Sequence, residues 1–481
     1  MAPATPARTA DHVPGPAPGR VLILGAGLAG MRAALAARQA APGLDVLLVC
    51  PRLSPSGSSF ANRNNALGVQ APLPDEAAAF VDEALRLAAP GFADPVLVRA
   101  LAADAPLRVE ELLDGPGGLA LSFRRDAKKR LLRFTGCFSP HPRALVFDGL
   151  GQAHAAFVER LRALGVRFLA GREALEIAVA DGRARGALLV SRRDGRVLKV
   201  AASAVIVATG GPAPLFGRRI CGPGPGGGLS YGLLAQAGAS LVNTRLLQFF
   251  WCRAGDRAFV NPGSLPWETL APELAHMAQE RLAHCPASYS LPDATLDRWL
   301  CAKRSADGLL RLPGQPALAL YAHAGNGGAR IDAQGRTDVP GLYACGECAG
   351  GMHGAQRLGG GMVLSALVFG ARAGEAAARE AAALKMGGGP DHAPLPVPPC
   401  SGLDLPLEPG FLPALRAGMD RHAQPYSAQF GAAREAFAAW LRGAAERAAS
   451  ARQRLLARSA LLVLEGEKKG TPGCVRLAGS V

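Results

Sequence analysis

Val21-Leu-Ile-Leu24, then Gly25-Ala-Gly27-Leu-Ala-Gly30, then the Ala-rich run from Met31 to Ala41 read as a short apolar strand, a glycine turn and a helix. Each glycine has a physical task there. Gly25 permits the tight turn, Gly27 lets backbone N–H groups approach a pyrophosphate, and Gly30 lets the helix pack on the strand, while the helix N-terminus supplies positive potential. Leu44 to Val49 follows at the distance of a second parallel strand, so the opening is a dinucleotide-binding unit. That second strand runs into Cys50, where an acidic residue would hold an adenosine ribose, which shifts the expectation from NAD to a cofactor with more anchoring points. Two later strand-turn units offer them: Ala204-Val-Ile-Val-Ala-Thr209-Gly-Gly211 and Gly341-Leu-Tyr-Ala-Cys-Gly346-Glu347.

The chain around this unit has 481 residues, 49% hydrophobic and 19% charged, with 60 Gly and 38 Pro. That is room for several domains and a large core, with many tight turns; small stapled scaffolds, fibres and disordered chains are excluded. Apolar runs such as Ala204 to Ala208 have strand length, and none approaches a membrane span. The formal charge is +15, yet only seven of the 53 cations are Lys, they are scattered, and aromatics are 5% of the chain. With no basic stripe of interleaved aromatics, a nucleic-acid partner is not expected, whereas a cofactor or substrate carrying phosphates or carboxylates is. Ten irregularly spaced Cys read as reduced thiols in a cytoplasmic protein, and none stands at zinc or cluster spacing.

Organisation follows from composition shifts. Residues 1–19 read as a flexible leader. Residues 70–116 look helical, and 165–201 look like a β-meander built of Val166-Arg-Phe-Leu169, Leu175-Glu-Ile-Ala-Val179, Ala187-Leu-Leu-Val190 and Val197-Leu-Lys-Val200. Residues 249–322 hold three of the four Trp and many Pro and His, and read as a capping domain inserted between two parts of the cofactor domain, 20–248 and 323–386. A Gly/Pro linker, 387–410, leads to a helical C-terminal region, 411–481.

From Tyr321 onward the sequence becomes specific. His323-Ala-Gly-Asn-Gly327-Gly328-Ala-Arg-Ile-Asp332, Gly346-Glu347, Gly350-Gly-Met-His353-Gly354-Ala-Gln-Arg357-Leu-Gly359-Gly360 and Ser365-Ala-Leu-Val-Phe-Gly370, together with Ser56-Gly-Ser-Ser59, Ala237-Gly-Ala-Ser-Leu-Val-Asn243 and Gln248-Phe249, resemble the fumarate reductase, succinate dehydrogenase and L-aspartate oxidase flavoprotein family. The resemblance implies an α/β fold: a doubly wound, Rossmann-like FAD-binding domain interrupted by a short α+β capping domain and followed by helices. It implies FAD contacts from Gly25, Ala26, Gly27, Gly30, Cys50, Ser58, Ser59, Ala208, Thr209, Gly210, Gly346, Glu347, Arg357, Gly361, Val363 and Leu364. Glu347 would accept from ribityl or ribose hydroxyls, and a helix opening near Val363 would turn its N-terminus to the flavin. Relatives with covalent flavin carry a His near Ser58 and Ser59. None stands here, so FAD is expected to be noncovalent.

Four family groups handle a dicarboxylate, and two have counterparts: His323, and Arg357 as the carboxylate-binding Arg. Where the family has His-Pro-Thr after Gln-Phe, this chain has Phe250-Trp251-Cys252, and no Arg-Gly-Glu-Gly-Gly segment exists. Arg253, Arg257 and Arg304 are candidates to stand in for the missing proton carrier, against the reading of each as a solvated surface arginine. The resemblance implies an FAD-dependent oxidoreductase passing two electrons to or from a small carboxylate-bearing substrate, with a more apolar pocket than a dicarboxylate site. Its alternatives are an electron-transfer subunit with an iron–sulfur partner, or a degenerate member that binds FAD for structure. Cys345-Gly-Glu-Cys348 stays open between a flavin-side dithiol and two small packing residues.

Overall fold

The computed structural model describes residues 11–12, 19–62, 65–113, 118–222, 227–386, 406–427 and 431–466. Most of the expected leader, the linker up to residue 405 and the last fifteen residues lie outside these.

At the centre is a five-stranded parallel sheet in the order Leu342–Ala344, Ala204–Val207, Arg20–Leu24, Asp45–Cys50, Arg167–Ala170. Apart from the exposed edge strand Arg167–Ala170, its strands are mostly apolar and buried because helices or a second sheet cover both faces. Helix Leu28–Ala40 and the long helix Gly361–Met386 pack against each other on one side. Strands Arg172–Ala180, Arg183–Ser191 and Val197–Ala201 form an antiparallel meander that packs on the other. Fully buried Arg20 joins the layers, donating to Asp45 Oδ2 at 2.7 Å and to the Ala201 carbonyl at 3.1 Å.

Two sequence expectations change here. Val166–Leu169 does not belong to the meander: Arg167–Ala170 is the edge strand of the parallel sheet, because it leaves helix Leu150–Ala163 and a strand reached by a helical crossover lands parallel. Within the leader, Asp11–His12 pairs in parallel with Leu198 and Lys199. The helical reading of 70–116 matches Ala77–Ala88 and Pro95–Glu110, and the glycine-turn helix begins at Leu28, inside the motif.

Residues 254–317 leave the central layers and return through one antiparallel ladder, Leu247–Arg253 against Leu318–Gly325. Among the described residues the interior of this insertion is short helices and turns, Trp267–Leu270, Ala278–Arg281 and Ala294–Ala302. It has its own buried centre, where Trp251 Nε1 donates to Asp297 Oδ1 at 2.8 Å and fully buried Arg281 pairs with Asp297. Of three C-terminal helices, Phe411–His422, Gly431–Arg447 and Ala451–Glu465, the first and third lie against the central layers and the second packs on those two. Ser459 Oγ accepts from Gly232 N at 2.8 Å, and Thr244 Oγ1 donates to the Leu462 carbonyl at 2.7 Å.

Candidate cofactor cavity and adjoining basic cluster

The glycine turn is built as its chemistry demands. Gly25 has φ +115°, and a Cβ there would lie 2.2 Å from the Ala208 carbonyl; a Cβ on Gly30 would lie 1.9 Å from the Gly25 carbonyl. The strand end, the helix start and Ala208 are thus in direct backbone contact, which leaves the face of the turn at Ala26 and Gly27 open.

That face opens into a cavity of about 420 Å³, within the range of cofactor sites. Gly25, Ala26, Gly27, Cys50, Ser58, Ser59, Ala208, Thr209, Gly210, Gly346, Glu347 and Val363 all line it. Gly30, Gly361, Leu364 and Arg357 are not on its wall. Gly30 is spent on packing, and Leu364 is fully buried, because consecutive helix positions point about 100° apart and only some can face one ligand.

Five guanidiniums, Arg52, Arg172, Arg219, Arg416 and Arg452, and two carboxylates, Glu173 and Glu347, also line the cavity. Only Glu347 was foreseen. Arg416 and Arg452 come from the C-terminal helices, Arg172 and Glu173 from the first meander strand, and no local motif marks any of them. Two buried polar atoms on the wall, Thr209 Oγ1 and Arg172 Nε, have no protein partner. An excess of positive charge, a glycine turn and unsatisfied donors fit a pyrophosphate-bearing dinucleotide. At Cys50 burial pushes the thiol up to about 11, so this position presents a neutral group in place of a ribose-binding carboxylate.

Glu347 joins the cavity to a second cluster. Its Oε1 accepts from Gly325 N at 2.9 Å, and a Cβ on Gly211 would lie 2.1 Å from the same oxygen, so only glycine leaves the carboxylate this seat. Burial raises the Glu347 carboxyl, opposed by the Gly325 N–H and by the charge of Arg357. Arg357 is itself buried and donates from Nη1 to Asn326 Oδ1. His323 and His353 complete the group. Burial and then the Arg357 charge drive both imidazoles down to about 3, so they are neutral at pH 7, and His323 Nδ1 and His353 Nε2 have no partner.

His323 reaches this position through a β-bulge. Gln248 pairs with Ala324 and Phe249 with Ala322, which leaves His323 as the extra residue, and a bulge re-aims the side chain it carries. Its ring meets Phe250 edge-on at 5.2 Å, so an aromatic side chain packs on this imidazole. The three cap arginines are placed elsewhere. Arg253 pairs with Asp256, Arg257 is exposed, and Arg304 donates to Gln424 and the Pro425 carbonyl. Cys345 and Cys348 are buried, and Cys348 Sγ donates to the Val207 carbonyl at 3.1 Å; burial pushes that thiol up to about 12, which leaves it unreactive.

Residues 20–253 and 315–363 match the family described as FAD binding domain, and an L-aspartate oxidase of Caulobacter vibrioides is 31% identical over 84% of this chain and 82% of its own length. The chain belongs to the FAD-binding family of L-aspartate oxidase and fumarate reductase flavoproteins. The 8-methylmenaquinol:fumarate reductase flavoprotein subunit of Wolinella succinogenes is 27% identical over 77% of this chain and 67% of its own. Two solved structures share the fold: the Mycobacterium smegmatis Sdh1 complex (TM-score 0.67, 21% identity, 95% of this chain and 88% of that one) and a quinol-fumarate reductase (TM-score 0.69, 17% identity, 93% and 89%). This flavoprotein is an FAD-dependent oxidoreductase by family. Among its described residues no helix is long and apolar enough to cross a membrane.

Proposed function

We propose that this flavoprotein passes two electrons between noncovalently bound FAD and a small carboxylate-bearing substrate, in the cytoplasm. The observation that carries the reading is the group of buried Arg357 and His353 and half-buried His323 beyond Glu347: one guanidinium charge beside two neutral imidazoles with unsatisfied nitrogens. Such a group favours an anion able to take charged hydrogen bonds from Arg and a neutral contact from His. Bound FAD would supply the two-electron chemistry, held by the glycine turn, Ser58, Ser59, Thr209, Glu347 and the cavity arginines. Arg357 would fix the carboxylate, and His323 would orient its other end. Of the six cap arginines described, Arg253 pairs with Asp256, Arg257 is exposed, Arg298 lies over the Tyr426 ring, Arg304 is held by Gln424 and the Pro425 carbonyl, Arg311 pairs with Asp307, and the fork of Arg281 is occupied by Asp297 and by the carbonyls of His284 and Pro286. Phe250 makes the adjoining wall apolar. A substrate less polar than a dicarboxylate fits that wall, and an anaerobic screen of monocarboxylates and dicarboxylates by flavin bleaching tests it.

The likeness to a protein named a flavoprotein subunit favours a second reading, in which the chain hands electrons to an iron–sulfur partner. Co-purification of such a partner from the native source supports that reading over the first.

A further inference from the structure

Cys137 and Cys285 are 148 positions apart by number and lie on different parts of the molecule. Cys137 belongs to the stretch before Ala144–Val146, and its carbonyl accepts from Gly359 N at 3.0 Å, which ties it to the Arg357 segment. Cys285 belongs to the insertion, two residues before Ala287 N reaches the Phe249 carbonyl at 2.8 Å. Their neighbours fix the contact: the rings of Phe138 and His284 stack with centroids 4.1 Å apart and planes at 26°. The Cys137 and Cys285 side chains interact across this contact. The turn bearing Cys285 is braced on the other side, where His284 Nε2 meets Asp293 Oδ2 at 2.6 Å and the buried Arg281 fork holds the His284 and Pro286 carbonyls. Both thiols are part-exposed, unlike the buried Cys252, Cys301, Cys345 and Cys348.

We propose that Cys137 and Cys285 are a redox-active thiol pair whose oxidation to a disulfide fastens the insertion onto the flavin-binding layers beside the Arg357 segment. This goes beyond the oxidoreductase reading and does not depend on it. The interaction with Cys285, with the nearby Arg281 guanidinium, holds the Cys137 thiol down to about 6 against the opposing effect of burial. Cys137 is therefore the nucleophile and Cys285 the proton-bearing partner. With a small external disulfide as oxidant, the Cys137 thiolate attacks one sulfur and expels the first thiolate. Cys285 then loses its proton to solvent, attacks the Cys137 sulfur of the mixed disulfide and expels the second thiolate. The external disulfide is reduced by two electrons and the cysteine pair is oxidised by two.

The test uses the full-length protein, with FAD present, treated with glutathione disulfide, alkylated and mapped by mass spectrometry. The expected result is a peptide link between Cys137 and Cys285 and a loss of two titratable thiols. The link should persist in Cys345→Ser/Cys348→Ser and disappear in Cys137→Ser and in Cys285→Ser. Before oxidation, Cys137 should react with iodoacetamide at pH 7 at least tenfold faster than Cys285. After it, amide hydrogen exchange across residues 284–302 should slow at least tenfold. A link between other cysteines, or glutathione adducts without a link, would overturn the pair; unchanged exchange in the linked protein would overturn the fastening. Because the mapping is done on the unsubstituted chain, a misfolded variant does not decide the outcome.

Discussion

Arg452, on the last helix, donates from Nε to Glu173 Oε1 at 3.3 Å, and Glu173 also accepts from Arg192 Nη1 at 2.8 Å. Both Arg452 and Glu173 line the cofactor cavity. The C-terminal helices are thus a wall of the cavity, and the buried carboxylate that fastens them there carries two guanidinium partners.

Arg452→Ala should therefore weaken FAD binding by about tenfold, from lost cationic character in the cavity and from Glu173 keeping only one of its two partners. Arg458→Ala, on the same helix but not lining the cavity, should leave it unchanged. Titration of FAD fluorescence into apoprotein at two salt concentrations measures both, and equal affinities for the two variants would remove Arg452 from the site.

Gly211→Val should abolish FAD retention. The added side chain meets the Glu347 carboxylate and forces it off its seat on Gly325 N into the cavity that FAD would fill. The purified variant is expected to be colourless while keeping the circular-dichroism spectrum of a folded protein. The unsubstituted protein should be yellow, with FAD released by acid or heat; flavin retained on a denaturing gel would contradict noncovalent binding.

Arg357→Ala should cost a carboxylate ligand about 2 to 5 kcal/mol, the loss of a charged and desolvated pair, with FAD content nearly unchanged because Arg357 is off the cavity wall. His323→Ala should have the smaller effect on turnover. Loss of flavin with full activity in Arg357→Ala would move that residue to the cofactor.

Succinate, fumarate and L-aspartate should be poor substrates. Phe250 packs on His323, Arg253 is paired with Asp256 and Arg257 is exposed, and loss of an aligned proton carrier costs on the order of 10²- to 10⁴-fold. Steady-state rates typical of dedicated enzymes with any of the three would refute this.

Stability should fall with acid before the carboxylates titrate. His323 and His353 are depressed to about 3 in the folded protein, whereas the unfolded chain binds their protons near the ordinary value of about 6.5. Each contributes stability fully present above about 6.5 and lost as pH falls toward 3, by up to about 1.4 kcal/mol per pH unit. Urea midpoints at pH 7.5, 6 and 5 should decline, less steeply in His323→Gln; a flat profile would mean the imidazoles are not buried.

The first strand, the glycine turn and helix after it, and Thr209 and Glu347 on the cavity wall were legible in the sequence, because each belongs to a local pattern in which neighbouring residues make the geometry. The sheet needs apolar runs of strand length, and the turn needs glycine where a Cβ would strike the Ala208 or Gly25 carbonyl. Tertiary structure alone decided the rest. It took Arg167–Ala170 from the meander into the parallel sheet, because strand partners are set by the crossover and not by composition. It brought Arg416 and Arg452 to the cavity and Cys137 to Cys285, since charge and thiol chemistry act over a few ångströms in space whatever the separation along the chain. It also aimed His323 through a bulge that exists only once two distant strands pair out of step.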